Sequence, residues 1–521
     1  MSFRSYLEKL DAQGRLTTVK KSVSRKLEAS AILNGSGERP VLFEKITGSG
    51  FRVAGNIFAT KGQVAAYFGI DEYSEGAPRY SGATRASTDR CLGSGVGAAI
   101  RQPQAQHSLR NISKPSSLVL GKSAPTYAVS AGFSPEAQQT LPEQVYPAET
   151  EGFSPRSIHA GGLIPKITRA IEHPTKPEEV KSAPCQEVEF GEIDLDKLPI
   201  LFHCEGDGGN YISSGVFITR DKDGIQNVDF HRAMQIGKNK FSIRVVRDRH
   251  FDQLLKKNEE LNVAVCVGNA PNVLIAAATS VDFGLNELEI ANSLESLKVV
   301  RAKTFDATIP ADCEFVLEGT VRLDEKAPEG PFVDLTETTD ITRQEPVLTI
   351  KRITHRKDAI WQALLPGKLE HKVIMGMPRE PTIFKKVEEA GVKCLDVNIN
   401  PGGCSWLHAI VKIDKRQEDD GKKAVAAAFE GHKSCKHVFI VDKDIDIYNP
   451  LDIEWAMATR FQADAGLVMK PREKGSSLDP SAEPGTCFTA KCGFDCTAPL
   501  KANGKNFGKA VFPKVDLTRF L

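Results

Sequence analysis

The sequence predicts a multidomain protein of mixed α+β and α/β class, and three observations carry that reading. Its 521 residues correspond to about three domains at roughly 100–200 residues each. β-type runs crowd the stretch after Leu198: Val216–Thr219, Phe241–Val246, Val263–Val267, Cys313–Val321 and Val347–Thr354. Beyond residue 375 helix-like and strand-like segments alternate instead, the pattern of a sheet covered by helices. With 40% hydrophobic and 26% charged residues, most of the chain can bury a core.

Taken in order, Phe3, Tyr6, Leu7 and Leu10 recur at helical spacing and Gly14 sits where that helix stops. Residues 40–58 alternate apolar and polar side chains around Gly48 and Gly50, as two short strands do, and Gln63–Phe68 reads as a following helix. Residues 1–72 are therefore expected to be a small N-terminal α+β unit. Residues 73–158 turn to Ser, Pro, Gly, Ala and Gln without a sustained period, which reads as a low-complexity, disordered insertion or an unspliced stretch. Its Gly93, Gly95 and Gly97 follow no strand and lack the acidic residue of a dinucleotide site.

Residues 159–374 are the strand-dense part, a β-barrel or sandwich by their many short strands. In 375–521 the expected order is helix Pro381–Glu389, strands Cys394–Ile399 and Leu407–Ile413, helix Lys422–Glu430, strand His437–Val441 and helix Pro450–Arg460. This is a C-terminal α/β sheet domain.

Charge and composition exclude several functions. Lys and Arg number 68 against 67 Asp and Glu, leaving no excess to attract a polyanion, so nucleic acid is not the expected partner. No apolar run approaches the roughly 20 residues of a transmembrane helix. Residues 1–23 mix Glu8 and Asp11 with basic residues, unlike a leader peptide, and the expected location is cytoplasmic. The 11 cysteines, an odd and scattered set, read as reduced thiols. Cys487, Cys492 and Cys496 lack a fourth ligand for zinc, and Phe488, Ala490 and Phe494 interleave with them as in a strand.

Two groups of residues can carry chemistry. Asn227, His231, Arg232 and His250 gather on or beside strands, and Glu287 and Glu289 follow the apolar run 273–278. Asn, His and Glu together suit a hard divalent ion such as Mn²⁺ or Mg²⁺ with positions left for phosphate oxygens. The segment Ala327-Pro-Glu329-Gly-Pro-Phe-Val-Asp334 holds two carboxylates in a rigid turn, a pair suited to acid–base work. The charged triplets His355-Arg356-Lys357 and Glu370-His371-Lys372 read as solvated ends.

In order along the chain stand Asn227-x4-Arg232, Gly237-Lys-Asn-Lys240, Arg249-His250, Asn286-Glu287, Glu329-Gly-Pro-Phe-x-Asp334, Ile353-Thr-His-Arg-Lys357, Pro401-Gly-Gly403, Asp442-x-Asp-Ile-Asp446 and Trp455-Ala-x-Ala-Thr-Arg460. Together they resemble the UbiD family of decarboxylases that use prenylated flavin mononucleotide (prenylated FMN), over about residues 1–72 and 160–500.

The resemblance implies a central split β-barrel like that of flavin reductases, an oligomerising C-terminal domain and a cofactor between them. It implies that Asn227, His250 and Glu287 hold Mn²⁺ (or Mg²⁺) against the cofactor phosphate with K⁺ nearby, and that Lys436 matches a lysine near the cofactor. Arg232, Glu329 and Asp334 match the catalytic Arg and acids. Arg232 then clamps the substrate carboxylate beside the cofactor, Glu329 delivers the proton that replaces CO2, and Asp334 tunes both. The substrate is a small unsaturated or aromatic carboxylic acid. The runs 286–291, 375–384 and 475–480 resemble the archaeal-type branch, which points to trans-anhydromevalonate 5-phosphate in isoprenoid synthesis, with a phosphate held by Lys368, His371 and Lys372. The alternatives are a hydroxybenzoate such as the polyprenylated ubiquinone precursor, a furan or pyrrole carboxylate, or a non-catalytic subunit of a carboxylase assembly. A homo-oligomer, dimer or hexamer, and a separate flavin prenyltransferase complete the implied picture.

Overall fold

In the computed structural model the residues described are 1–70, 162–501 and 504–510, with isolated positions 512, 513, 515 and 519. The low-complexity segment at 73–158 lies outside them.

Helix Phe3–Ala12, capped by Ser2, buries Phe3, Tyr6, Leu7 and Leu10, the four residues that set its period. Strands Val41–Phe43 and Arg52–Gly55 pair antiparallel, and Thr17–Val19 adds in parallel. The N-terminal unit is not self-contained, because its fourth strand, Ile360–Ala363, comes from 300 residues further on and pairs parallel with Arg52–Gly55. The approach is so close that a Cβ on Gly55 would fall 2.6 Å from the Ala363 carbonyl oxygen. Trp361 on that strand is almost fully buried.

The triplets expected to be solvated are partly inside: His355, Glu370 and Lys372 are buried, whereas Lys357 is exposed. His355 packs against Phe51, Phe190 and Phe315. Glu370 accepts the backbone N–H groups of Asn56 and Phe58 at 2.9 and 3.2 Å, fastening helix Leu369–Gly376 to the N-terminal unit. A charged triplet turned inward carries no signal in periodicity, since its partners are backbone groups far away in sequence. Burial pushes Glu370 up from 4.5 to about 7. The folded chain therefore holds this proton more tightly than the unfolded one, and the stability it contributes is full below about 4.5 and lost as pH rises through about 7. Glu370→Gln is expected to flatten that dependence while lowering stability by about 1–3 kcal/mol; urea melts across this pH window provide the check.

The central sheet has nine strands, all paired antiparallel. Its path runs Tyr211–Ile212, Ala233–Gln235, Lys240–Ile243, Arg343–His355, Phe315–Glu329, Glu260–Val267, Val216–Arg220, Gln226–Phe230, with Val188–Glu189 also on Arg343–His355. The 15-residue strand Phe315–Glu329 breaks register against Arg343–His355 at Glu318/Gly319 and Arg322/Lys326, and such bulges bend and twist a strand. Gly319 is required there, because a Cβ would meet the Thr349 carbonyl oxygen at 2.3 Å. The result is a curled, open half-barrel. Helix Pro271–Ala278, buried on every side, and helix Glu287–Leu294 pack together beside it.

The C-terminal sheet runs Cys394–Asn398, His408–Ile413, His437–Asp442, Phe488–Cys496, Leu467–Lys474, parallel in its two central pairings and antiparallel at both edges. Its alternating residues feed two cores. Ala409, Val411, Val438 and Ile440 meet helices Glu380–Glu389 and Asp420–Gly431, whereas Ile410 and Val441 meet Pro450–Arg460.

Candidate active site

A cavity of about 1980 Å³ is lined by residues from the central sheet, from the 277–287 segment and from the C-terminal domain. Asn227, Arg232, His250, Glu287 and Asp334 all border it. Arg232 follows strand Gln226–Phe230, and Glu329 is the last residue of strand Phe315–Glu329. The Glu329–Asp334 segment is thus a strand end leading into the hairpin Phe332–Val333/Thr339–Asp340, where the sequence read a turn.

The Arg232 guanidinium is the centre of an ion cluster. Its Nε and Nη2 donate to the two Glu329 carboxylate oxygens, both at 2.9 Å, the bidentate geometry that arginine favours. Nη1 donates to Asp334 Oδ2 at 2.6 Å and Nη2 also to Asp340 Oδ2 at 2.9 Å. Phe332 lies 4.8 Å from the guanidinium carbon. Four of the five guanidinium N–H groups are thereby used, and one on Nη1 remains, beside Asp334. Despite its burial, these hydrogen bonds and charges raise the Arg232 pKa, fixing the positive charge. Tyr211 donates to Glu329 Oε1 at 3.1 Å, and burial together with the Glu329 charge pushes its phenol up, so the proton stays on it.

Glu329 and Asp334 differ in access. Glu329 is 0% exposed and does not border the cavity. Asp334 does border it, with its Oδ1 held by the Leu335 N–H at 2.7 Å.

Two members of this neighbourhood, Asp340 and Tyr211, are missing from the sequence reading, and a third, His371, stands there only as a solvated end or a phosphate ligand. Asp340 bridges Arg232 and Arg343 at 2.9 and 2.6 Å; burial opposes its ionisation, but Arg343 and Arg232 hold its pKa below the usual value. His371 borders the cavity, accepts the Gly367 N–H on Nδ1 at 3.1 Å, and is kept neutral by burial with the help of the Lys372 and Arg232 charges. Only Asp340 had a usable signal, its place a few residues beyond the Glu329–Asp334 motif. Asp340→Asn is expected to lower kcat/KM roughly tenfold at unchanged flavin content, since it loosens one charge-assisted contact on Arg232; steady-state kinetics beside a flavin spectrum measure it.

The residues expected to hold a metal border the same cavity. Asn227 is 4% exposed with its side-chain nitrogen buried and unpartnered. Amide oxygen and nitrogen are exchangeable assignments, so a ligating oxygen fits the same place. Glu287, 3% exposed, accepts the Val228 N–H on Oε2 at 2.9 Å, and burial raises it to about 8. His250 opens helix His250–Asn258 and meets Phe283 edge-on. An unpartnered amide, a buried carboxylate and an imidazole fit a hard divalent cation. The described residues hold no cluster of three His, Cys, Asp or Glu that would form a site without the amide.

Lys436 does not border the cavity; its ammonium is held by Asp479 at 2.9 Å and Ser481 at 2.5 Å, although Asp479 itself does border it. The ammonium groups of Lys368 and Lys372, expected to hold a phosphate, are both paired with Glu337.

A curled antiparallel sheet carrying an arginine bound by acids thus shares a large cavity with the C-terminal domain. The chain belongs to the UbiD family: residues 7–77, 178–369 and 372–496 match the N-terminal, Rift-related and C-terminal domains of 3-octaprenyl-4-hydroxybenzoate carboxy-lyase. It is 42% identical over 348 residues to the anhydromevalonate phosphate decarboxylase of Methanothermobacter thermautotrophicus, covering 65% of this chain and 81% of that protein. The Methanosarcina mazei protein of the same name is 42% identical over 340 residues, covering 64% and 79%. Among solved structures, the UbiD-class enzyme HmfF from Pelotomaculum thermopropionicum in complex with FMN matches over 100% of both chains with a TM-score of 0.79 and 27% identity. An evolved dimeric form of it with prenylated FMN matches with a TM-score of 0.76 and 25% identity, again over 100% of both chains. Among the described residues no helix is long and apolar enough to cross a membrane.

Proposed function

We propose that this chain decarboxylates trans-anhydromevalonate 5-phosphate, with prenylated FMN as cofactor. The observation that carries the reading is Arg232, locked by Glu329 and Asp340 with one N–H left beside Asp334 at the cavity; the two 42%-identical anhydromevalonate phosphate decarboxylases favour this acid over a hydroxybenzoate. In this reading the curled sheet is the split barrel of flavin reductases. Asn227, His250 and Glu287 hold Mn²⁺ or Mg²⁺ against the cofactor phosphate, with K⁺ nearby, and Lys436 approaches the cofactor through Asp479. The chain works as a cytoplasmic homo-oligomer supplied by a separate flavin prenyltransferase.

When bound, prenylated FMN supplies the electron sink that side chains lack. Arg232 orients the substrate carboxylate through its remaining Nη1–H. The two guanidiniums and three carboxylates of the cluster, Arg232, Arg343, Glu329, Asp334 and Asp340, sum to a formal charge of −1, so one added proton neutralises it. Asp334, the acid of the Arg232–Glu329–Asp334 set that reaches the cavity, carries that proton to the carbon that loses CO2. In this reading Glu329, buried and off the cavity, orients Arg232. The test is CO2 release from the phosphorylated acid by protein co-expressed with a flavin prenyltransferase; loaded protein that releases none from this acid overturns the reading.

A further inference from the structure

Among the described residues, the ion pairs around the cavity leave three of its arginines, Arg247, Arg249 and Arg379, without a carboxylate. Arg232, Arg244 and Arg343 each meet a carboxylate. Arg379, just before helix Glu380–Glu389, borders the cavity, and among the described residues no carboxylate lies within 4.0 Å of it. Its Nη2 donates to the Ala278 carbonyl at 3.0 Å. Its Nε is buried without a partner, and its guanidinium carbon lies 5.3 Å from the Trp406 ring centre.

Its surroundings add positive charge. Arg249 borders the same cavity, likewise without a carboxylate, close enough for its charge, after burial, to depress Arg379. His432 stacks edge-on against Trp406 and stays neutral through burial and the Arg379 charge. Lys470 and Lys491, both at the cavity, share the Phe429 ring without an ion pair. Glu430 and Glu473 also border the cavity, and neither pairs with these cations. A guanidinium withdrawn from water beside a second one, with no anion, is unfavourable unless a ligand supplies the charge.

We propose that Arg379, with Arg249, forms a subsite for a phosphomonoester dianion. The reacting carboxylate already has Arg232, on other elements, so this is a second anion position in one cavity. The choice of ligands rests on the proposed decarboxylase reading, in which two phosphomonoesters enter: the flavin and the phosphorylated acid. Guanidinium bonds to phosphate are charge-assisted and often bidentate.

The experiment compares wild type, Arg379→Gln and Arg379→Lys by equilibrium binding rather than turnover, so a failure of the decarboxylase reading leaves the subsite testable. Titrations use FMN against riboflavin, and, on FMN-loaded protein, trans-anhydromevalonate 5-phosphate against its unphosphorylated acid. Arg379→Gln is expected to raise one phosphorylated ligand's Kd by about 10- to 100-fold, to leave its unphosphorylated partner unchanged, and to be partly rescued by Lys. A loss confined to FMN assigns the site to the flavin phosphate; a loss confined to the acid assigns it to the substrate. Unchanged Kd for both phosphorylated ligands, or an equal loss for the unphosphorylated ones, overturns the proposal. If Arg379→Gln fails to fold, Arg249→Gln, at an exposed position before a helix, takes its place with the same outcomes.

Discussion

Replacing Asp334 by Asn is expected to reduce decarboxylation by about 10²- to 10⁴-fold, the usual contribution of a positioned acid, with flavin still bound and the melting temperature near that of wild type. The carboxamide has one acceptor oxygen, so it keeps one of the two contacts, to Arg232 Nη1 or to the Leu335 N–H, and it has no acidic proton to give. Glu329→Gln should also lose activity, by a different route. Glu329 is fully buried and both its oxygens are on Arg232, so neutralising it leaves a buried guanidinium short of its bidentate counter-charge. Breaking a buried pair in this way costs about 3–5 kcal/mol. The two variants therefore separate the roles. Asp334→Asn is dead but stable, and Glu329→Gln is impaired and melts earlier. An Asp334→Asn enzyme with wild-type turnover sinks the assignment of the proton, and a Glu329→Gln enzyme of unchanged stability sinks the orienting role. Thermal melts and CO2 release on matched flavin-loaded samples read both.

The sequence carried the elements whose burial follows a period. Phe3, Tyr6, Leu7 and Leu10 mark one helix face, and the strands at 394–398, 408–413 and 437–442 stand where alternation placed them. It also named the cavity residues Asn227, Arg232, His250, Glu287 and Asp334, because they sit in local motifs. What it missed depends on contacts distant in sequence. Strand Ile360–Ala363 completes an N-terminal sheet about 300 residues away, and no local pattern encodes that pairing. Glu370 and Lys372 look like surface charge until their partners, the backbone of Asn56 and Phe58 and the Glu337 carboxylate, are in place. The order of proton roles in the Arg232 cluster rests on which carboxylate the cavity reaches, a property of packing that spacing does not encode. Arg379 is conspicuous for the same reason: only the folded chain shows that, among the described residues, no carboxylate pairs with it.

Glu287→Ala is expected to strip metal and flavin from the protein together. The carboxylate opens helix Glu287–Leu294 and is almost fully buried at the cavity, with Asp229 close enough to oppose its charge. Two neighbouring acids at the cavity are tolerable when a cation stands between them and the anionic end of a ligand. Without that cation, a phosphate dianion would face the carboxylates directly, so losing the metal ligand should lose the flavin phosphate as well. Alanine has a second effect that must be separated from the first: it leaves the Val228 N–H, now bonded to Glu287 Oε2 at 2.9 Å, without a partner, worth about 1–3 kcal/mol. Glu287→Gln keeps an acceptor for Val228 and removes only the charge. If metal holds the cofactor, both variants lose Mn²⁺ by elemental analysis and the flavin band by absorbance, while only the alanine variant melts early. Flavin content at the wild-type level in the glutamine variant would show that Asn227, His250 and Glu287 do not anchor the cofactor phosphate through a metal.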